Sequence, residues 1–337
     1  MVTASDVAKL AGVSQSTVSY VMSGTRTISP ATRARVEAAM KQLSYHPNAG
    51  ARALAGRRTN VIGLVARLPG NTDVAALLPF IETITGSSRE RDCDVVLVTE
   101  DEGPAGLERL AGRAIVDAIV LMDIRRDDDR LETARGLGVP VVLIGVPDDP
   151  HGLDCVDFDV RMAATLAVEE LVSTGSERIV LVGETPSVRS EGFGFIAEFA
   201  AGVSAAAGAA GADLTTYEPD ADGWPGFAGF ARVVDDIRAQ RVGVIARTPQ
   251  AIDRTMQTLA SHGVVVGHDV SLVGLCTDAT AESFRIPVTN VSPEPRDVSR
   301  QAMRILFDRV DGGAGEASVH LVSPRLTRRA TTGGSRP

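Results

Sequence analysis

The sequence predicts a small all-α helix-turn-helix domain at the N-terminus, followed by a larger α/β core of two doubly wound parallel-sheet lobes. Three observations lead to this prediction. The chain has 337 residues, which is more than one ordinary domain holds. Residues 1–46 contain short helical patterns with capping residues, and the rest of the chain alternates short apolar runs with helical stretches. Hydrophobic residues make up 44% of the chain, which is enough for packed cores.

The first helices are predicted from capping residues. Thr3 followed by Asp6 is typical of a capping box, and Gly12 suits the left-handed residue that ends a helix. Ser14 can cap a second helix over Gln15–Met22. Two short helices joined by a tight glycine turn form a helix-turn-helix.

A third helix is predicted after a short loop. Ser29 is a suitable N-cap and Pro30 suits the first helical position, so the helix should continue through Ala31–Leu43. Without a ligand, these helices would be a plain three-helix bundle. The second helix favours a DNA ligand instead, because short polar side chains there can contact base edges or phosphates.

Charge is distributed unevenly along the chain. Residues 1–60 carry a net charge of +6, whereas the whole chain carries −9, so the remainder carries −15. A basic segment on an acidic body is typical of proteins that bind nucleic acid through that segment.

Several protein classes are excluded by composition. No apolar run reaches the roughly 18–20 residues of a membrane helix, and the N-terminus lacks a signal-peptide pattern. Cys93, Cys155 and Cys276 are odd in number and far apart, which indicates reduced thiols in a cytoplasmic protein. We expect no cofactor and no metal site.

The body shows two sets of alternating strands and helices. The first set of predicted strands is 61–66, 95–99, 118–122 and 141–146, and the second is 179–183, 242–246 and 271–275. Helical patterns lie between them. Ligands of such lobes bind at the carboxyl ends of the strands, here in the cleft between the lobes.

The head resembles the LacI/GalR family of bacterial transcription regulators. The resemblance is carried by the stretches Asp6–Ser14, Ser16–Ser19, Ile28–Arg33, Tyr45–Asn48 and Leu54–Ala55. It extends more loosely over the body, which is similar to the family's periplasmic-binding-protein-like effector core. It implies a homodimer on a double-stranded DNA operator, with the second helix in the major groove, a hinge helix in the minor groove and Leu54 as a wedge between bases. The DNA-binding residues implied are Thr3, Ser14, Gln15, Ser16, Thr17, Ser19, Tyr20, Asn48, Ala51, Arg52 and Leu54.

Tyr20 departs from the family pattern. The family usually has an arginine at this position, and tyrosine cannot make the two parallel hydrogen bonds that arginine makes to guanine. We therefore expect a different base preference at the corresponding operator position.

The resemblance also implies a small-molecule effector in the cleft. Trp224 matches an aromatic position of sugar-responsive members, whereas Phe195, Arg247 and Cys276 stand where the family often has polar anchors. Losing those anchors argues against an ordinary neutral sugar, and arginines could favour an anionic ligand. The effector is thus left as a sugar-like or an anionic metabolite. The candidate effector-binding residues are Arg67, Arg189, Phe195, Trp224, Arg247 and Cys276.

The stretch Gly192–Ala197 matches a GxGxxA pattern. A dinucleotide site requires that pattern in the turn directly after a strand, and here a loop intervenes. We interpret it as the start of a closely packed helix. No nucleophile elbow or phosphate-binding loop is present in the sequence, so we do not expect an enzyme.

The sequence thus predicts a DNA-binding transcriptional regulator, a LacI-type repressor that binds a near-palindromic operator as a homodimer and responds to a small molecule. The alternative is a cytoplasmic small-molecule-binding protein or an enzyme of the α/β class. The predicted boundaries are a helix-turn-helix domain at 1–46, a hinge helix or linker at 47–60 and a core at 61–337. Within the core, lobe one takes about 61–158 and 290–319, and lobe two takes about 159–289 and 320–337.

Overall fold

The computed structural model describes residues 2–23, 26–43, 45, 58–68, 74–100, 102–112 and 115–332. The head consists of three helices, α1 (Ala4–Ala11), α2 (Gln15–Ser23) and α3 (Pro30–Gln42). They enclose a small core of buried side chains that includes Val7, Val18 and Val36. All three helices were predicted from the sequence, and the structure confirms them.

Lobe one is built on a six-stranded parallel sheet. Its spatial order is β11-β5-β4-β3-β1-β2. The strands are β1 (Val61–Val65), β2 (Asp94–Val98), β3 (Ala118–Leu121), β4 (Val141–Ile144), β5 (Asp154–Phe158) and β11 (Val319–Val322).

Helices cover both faces of this sheet. They are α4 (Val74–Arg89), α5 (Gly103–Gly112), α6 (Arg130–Gly136) and α13 (Pro295–Val310). Two buried apolar clusters result, one on each face of the sheet.

Lobe two contains the second six-stranded sheet, in the order β12-β10-β9-β8-β6-β7. The strands are β6 (Arg178–Val182), β7 (Asp213–Tyr217), β8 (Val242–Ala246), β9 (Ser271–Leu275), β10 (Thr289–Ser292) and β12 (Arg325–Thr327). Strand β12 pairs antiparallel with β10, and the other pairings are parallel.

The helical elements of lobe two pack around this sheet. They are α7 (Val160–Ser173), α8 (Pro186–Arg189), α9 (Gly194–Ala210), a 3₁₀ helix (Trp224–Phe230), α10 (Ala231–Ala239), α11 (Pro249–Ser261) and α12 (Asp278–Ser283).

The chain crosses between the lobes at three places: after β5, after β10 and between β11 and β12. Two predicted boundaries are therefore wrong. Strand β10 belongs to lobe two, because it extends the sheet by pairing with β9 (Asn290 with Gly274). Residues 320–322 belong to lobe one, because β11 pairs with β5 over its whole length.

Five strands were not predicted: β5, β7, β10, β11 and β12. Strands β7 and β11 lie at sheet edges, and alternate side chains of β11 face solvent. These two edge strands lack the continuous apolar runs that identify buried parallel strands. Strand β5 is interior but begins with a charged residue, Asp154, whose carboxylate is paired with Arg309 at 2.8 Å.

Candidate DNA-binding head and interlobe cleft

The turn between α1 and α2 is fixed by local hydrogen bonds. Thr3 and Asp6 form the predicted capping box, in which the Thr3 backbone N–H donates to Asp6 Oδ2 at 2.8 Å. Gly12 ends α1 in the left-handed conformation with φ +65°, and its N–H donates to the Ala8 carbonyl. Ser14 Oγ accepts the Thr17 backbone N–H at 3.1 Å. The capping bonds therefore fix both ends of α1 and the start of α2.

Helix α2 presents its polar side chains outward. Val18 and Val21 are buried in the head, while Gln15, Ser16 and Ser19 are exposed. The partly buried Tyr20 ring lies beneath the guanidinium of Arg26, 5.7 Å from its centroid. An exposed polar helix face of this kind can donate to and accept from base edges.

The predicted hinge contacts Asn48, Ala51, Arg52 and Leu54 lie outside the described residues. The structure resumes at Arg58, whose Nη1 is 2.9 Å from Asp311 Oδ1, just beyond the end of α13. The chain therefore enters lobe one beside α13.

The carboxyl ends of the lobe-one strands contact a segment of lobe two. We call this segment, residues 190–193 between α8 and α9, the strap. Arg67, which follows β1, places Nη2 at 2.7 Å from Glu191 Oε2 on the strap. The Arg126 backbone N–H donates to the Gly192 carbonyl at 3.2 Å, and Arg125 forms an isolated antiparallel bridge with Phe193. The strap thus joins the two lobes across the cleft.

Arginines and phenylalanines form a stack in the cleft. The Arg67 guanidinium lies 5.5 Å from the Phe193 ring centroid, and Phe193 stacks on Phe195 at 5.5 Å. The Arg247 guanidinium lies 4.9 Å from the other ring, and its Nε donates to Glu184 Oε1 at 2.5 Å. Arg67, Phe195 and Arg247, three of the predicted effector residues, are thereby brought together.

A half-buried carboxyl, that of Asp123, lies beside this stack. The Arg67 backbone N–H donates to Asp123 Oδ2 at 2.8 Å. Burial nevertheless raises the pKa of the Asp123 carboxyl. The cleft therefore holds several charged groups in partly desolvated positions, and charge pairs are stronger there than in water.

The other three predicted effector residues do not take part in this stack. Arg189 Nη1 donates to the carbonyls of Glu184, at 2.5 Å, and Pro219, at 3.3 Å, so it supports the loops of its own lobe. Trp224 is half-exposed, and its ring lies 4.9 Å beneath the Arg254 guanidinium. Cys276 is buried among apolar residues of lobe two, directly after β9, and its contact with an effector stays a prediction.

Sequence analysis missed four cleft residues: Arg125, Glu184, Glu191 and Phe193. The sequence does give an indication for two of them, because Glu184 follows β6 by two residues and Arg125 follows β3 by four. Such positions lie at the carboxyl edge of a parallel sheet, where ligands bind. Glu191 and Phe193 belong to a loop whose course the sequence does not determine.

The described residues contain neither a membrane-spanning helix nor a metal-binding cluster. No helix there is both long and apolar enough to span a bilayer. No three His, Cys, Asp or Glu side chains there are grouped to hold a metal ion.

Comparison with known proteins gives the same two-part division. Residues 3–48 match the family model of bacterial regulatory proteins of the lacI family. Residues 168–332 match the model of a periplasmic binding protein-like domain.

Individual relatives resemble nearly the whole chain. The HTH-type transcriptional regulator CelR of Thermobifida fusca is 31% identical over 325 residues, covering 92% of each chain. A solved transcriptional regulator CelR–cellobiose complex has a TM-score of 0.68 at 27% identity and covers 98% of this chain and 100% of its own. The lac repressor dimer bound to operator and the anti-inducer ONPF has the same fold, with a TM-score of 0.79 at 23% identity, covering 98% of this chain and 99% of its own.

These relatives are named as transcriptional regulators, and their likeness extends over both the helix-turn-helix head and the two-lobed body. The chain therefore belongs to the LacI family of bacterial regulatory proteins and is a DNA-binding transcriptional regulator.

Proposed function

We propose that this protein is a repressor that binds a near-palindromic operator as a homodimer, and that a small molecule in the interlobe cleft alters its DNA affinity. The observation that carries the proposal is the exposed polar face of α2, held by capping bonds on a head with its own core. Its site of action would be the bacterial cytoplasm, where the DNA is. The proposal assigns the protein no catalytic role.

The DNA contacts are proposed for α2 and its flanking residues. Gln15, Ser16 and Ser19 are exposed and carry groups that can hydrogen-bond to base edges. Thr3, Ser14, Thr17 and Tyr20 would position the head on phosphates or add base contacts. We extend the proposal to Asn48, Ala51, Arg52 and Leu54 for the hinge.

A homodimer is proposed because one short helix makes too few base contacts for useful specificity. Lobe one presents apolar side chains to solvent on α4 and on the edge strand β2. Leu78, Val96 and Leu97 are 49%, 38% and 39% exposed. Large exposed apolar residues can mark an interaction surface, so this edge of lobe one is our candidate for the dimer contact.

The effector is proposed to act through linkage. A ligand can change DNA affinity only by its differential affinity for two arrangements of the protein. The strap contacts show that the lobes meet through specific bonds at the cleft. A ligand there would compete with these bonds or add to them, and so change how two paired first lobes hold their linkers on DNA.

The test is a pair of matched glutamine substitutions in the head. Gln15→Ala should lower operator affinity by about 1–3 kcal/mol, the usual value of one base contact, while affinity for random DNA stays unchanged. Gln42→Ala, on the exposed end of α3, is the control and should alter neither affinity. Both would be measured by fluorescence anisotropy at fixed physiological salt. Equal losses on operator and random DNA would contradict the proposed role of Gln15.

A further inference from the structure

Glu191 occupies a position between two arginines that belong to the opposite lobe. Its Oε2 lies 2.7 Å from Arg67 Nη2 and 3.7 Å from Arg125 Nη2. Arg125 Nε also donates to the Glu191 carbonyl at 3.2 Å. The two guanidinium groups come from the ends of two neighbouring strands, β1 and β3, and therefore converge on one point.

This point is well suited to an anion. The Arg67 side chain is only 10% exposed, so its charge is largely desolvated and depends strongly on a negative partner. Guanidinium groups bind carboxylates and phosphates through short, charge-assisted hydrogen bonds. In this structure the partner is a glutamate of the chain itself, on a segment that also joins the lobes.

We propose that Glu191 is an internal substitute for an anionic effector. This inference rests on the proposed function and names both the ligand class and the regulation of that site. A small metabolite carrying a carboxylate or phosphate takes the place of the Glu191 carboxylate between Arg67 and Arg125. The strap then loses its charged attachment to lobe one and keeps weaker contacts, which include the Arg126–Gly192 hydrogen bond, the Arg125–Phe193 bridge and the Arg125 bond to the Glu191 carbonyl.

The Glu191 carboxylate competes with a free anion because it is held beside the two arginines by the chain itself. A side chain held beside its partner acts at an effective concentration of mM or more, so a free anion must compete with it. A ligand that competes with an interlobe contact binds the opened arrangement better and raises its population. Glu191 would thus set the anion concentration at which the regulator responds.

The experiment measures binding of inorganic phosphate to the full-length protein by calorimetry, with ionic strength kept constant by chloride. Glu191→Gln keeps the shape of the side chain and removes its charge, so it should bind phosphate at least about tenfold more tightly than wild type. The double variant Arg67→Gln with Glu191→Gln should lose that gain. Glu198→Gln is the control, because Glu198 pairs with Arg161 inside lobe two and should bind phosphate like wild type.

Amide hydrogen exchange of the strap gives a second readout that does not depend on measurable phosphate affinity. Exchange of Gly192 and Phe193 should be faster in Glu191→Gln than in wild type, and phosphate should accelerate it in wild type. Equal phosphate affinity of Glu191→Gln and wild type would overturn the proposal, and so would unchanged strap exchange.

Operator binding of the same variants distinguishes failure of the anion proposal from failure of the proposed function. If wild type and Glu191→Gln both bind operator DNA but neither phosphate result is obtained, only the anion proposal fails. If wild type does not bind operator DNA, the proposed function fails.

Discussion

Asp157, in strand β5 of lobe one, has a carboxyl whose pKa lies well above its ordinary value. Burial of its carboxyl raises the pKa to about 7, although the Phe158 backbone N–H donates to its Oδ1 at 2.8 Å. A carboxyl whose pKa is raised on folding holds its proton more firmly in the folded state. Stability therefore falls as the pH rises from the unfolded pKa, near 4, to about 7, and stays lower above that.

Asp157→Asn removes this charge and should stabilise lobe one most at high pH. We expect the free energy of unfolding at pH 8 to rise by about 1–3 kcal/mol, with little change at pH 4. Thermal unfolding across pH 4–8 would measure it, with Asp213→Asn on the exposed edge strand β7 as the control. A variant whose pH profile parallels that of wild type would show that Asp157 is not the group responsible.

Substitution of Tyr20 should change the base specificity of DNA binding rather than the stability of the protein. Its hydroxyl can make one hydrogen bond to a base, whereas arginine can bind guanine O6 and N7 together. Tyr20→Arg should therefore increase the preference for guanine at one position in each half-site, by about 1–3 kcal/mol. Selection from a randomised half-site library would reveal the change. An unchanged base preference in Tyr20→Arg would place this residue away from the base edges.

At the scale of elements, the head depends on the turn between α1 and α2. A Cβ added at Gly12 would meet nothing within 4 Å, so a substitution there acts only through the backbone. Because φ is +65°, Gly12→Ala should destabilise the head by about 1 kcal/mol.

Gly86→Ala is the matched control for that prediction. Gly86 lies in α4, and a Cβ there would also meet nothing within 4 Å. Alanine is favoured over glycine in a helix by about 1 kcal/mol, so this change should stabilise lobe one. Hydrogen exchange of the head and of α4 measures both effects in the full-length protein. Effects of the same sign at both positions would contradict the account of Gly12.

Elements with strong local determinants could be predicted from the sequence. The capping box of Thr3, the turn at Gly12 and the proline start of α3 all depend on neighbouring residues, and all are found. The seven predicted strands are also found, because each is a mainly apolar run. The edge strands β7 and β11 were missed, because pairing at the edge is decided by distant residues.

The cleft could be predicted only in part, for the same reason. Arg247 follows β8 directly and Arg67 follows β1 by two residues, so the topology places them at the cleft edge. The partners that hold them, Glu191 and Glu184, are 124 and 63 residues away in sequence. Pairs that form over such separations depend on the packing of the whole lobes.

At the scale of the whole molecule, charge restricts DNA contact to one end. Residues 1–60 carry a net +6, and the remaining residues carry −15, so the body repels a phosphate backbone. Binding should depend strongly on salt, because phosphate contacts release counterions. Affinities of variants are therefore comparable only at one ionic strength.

Specific binding to an operator as a two-fold symmetric pair is tested most directly by a footprint. The full-length protein would be placed on the DNA upstream of its own gene, at physiological salt and with random DNA as competitor. We expect a protected near-palindrome with two half-sites about one helical turn apart, the spacing of a two-fold symmetric pair of heads. Protection no stronger than that on random DNA would contradict it.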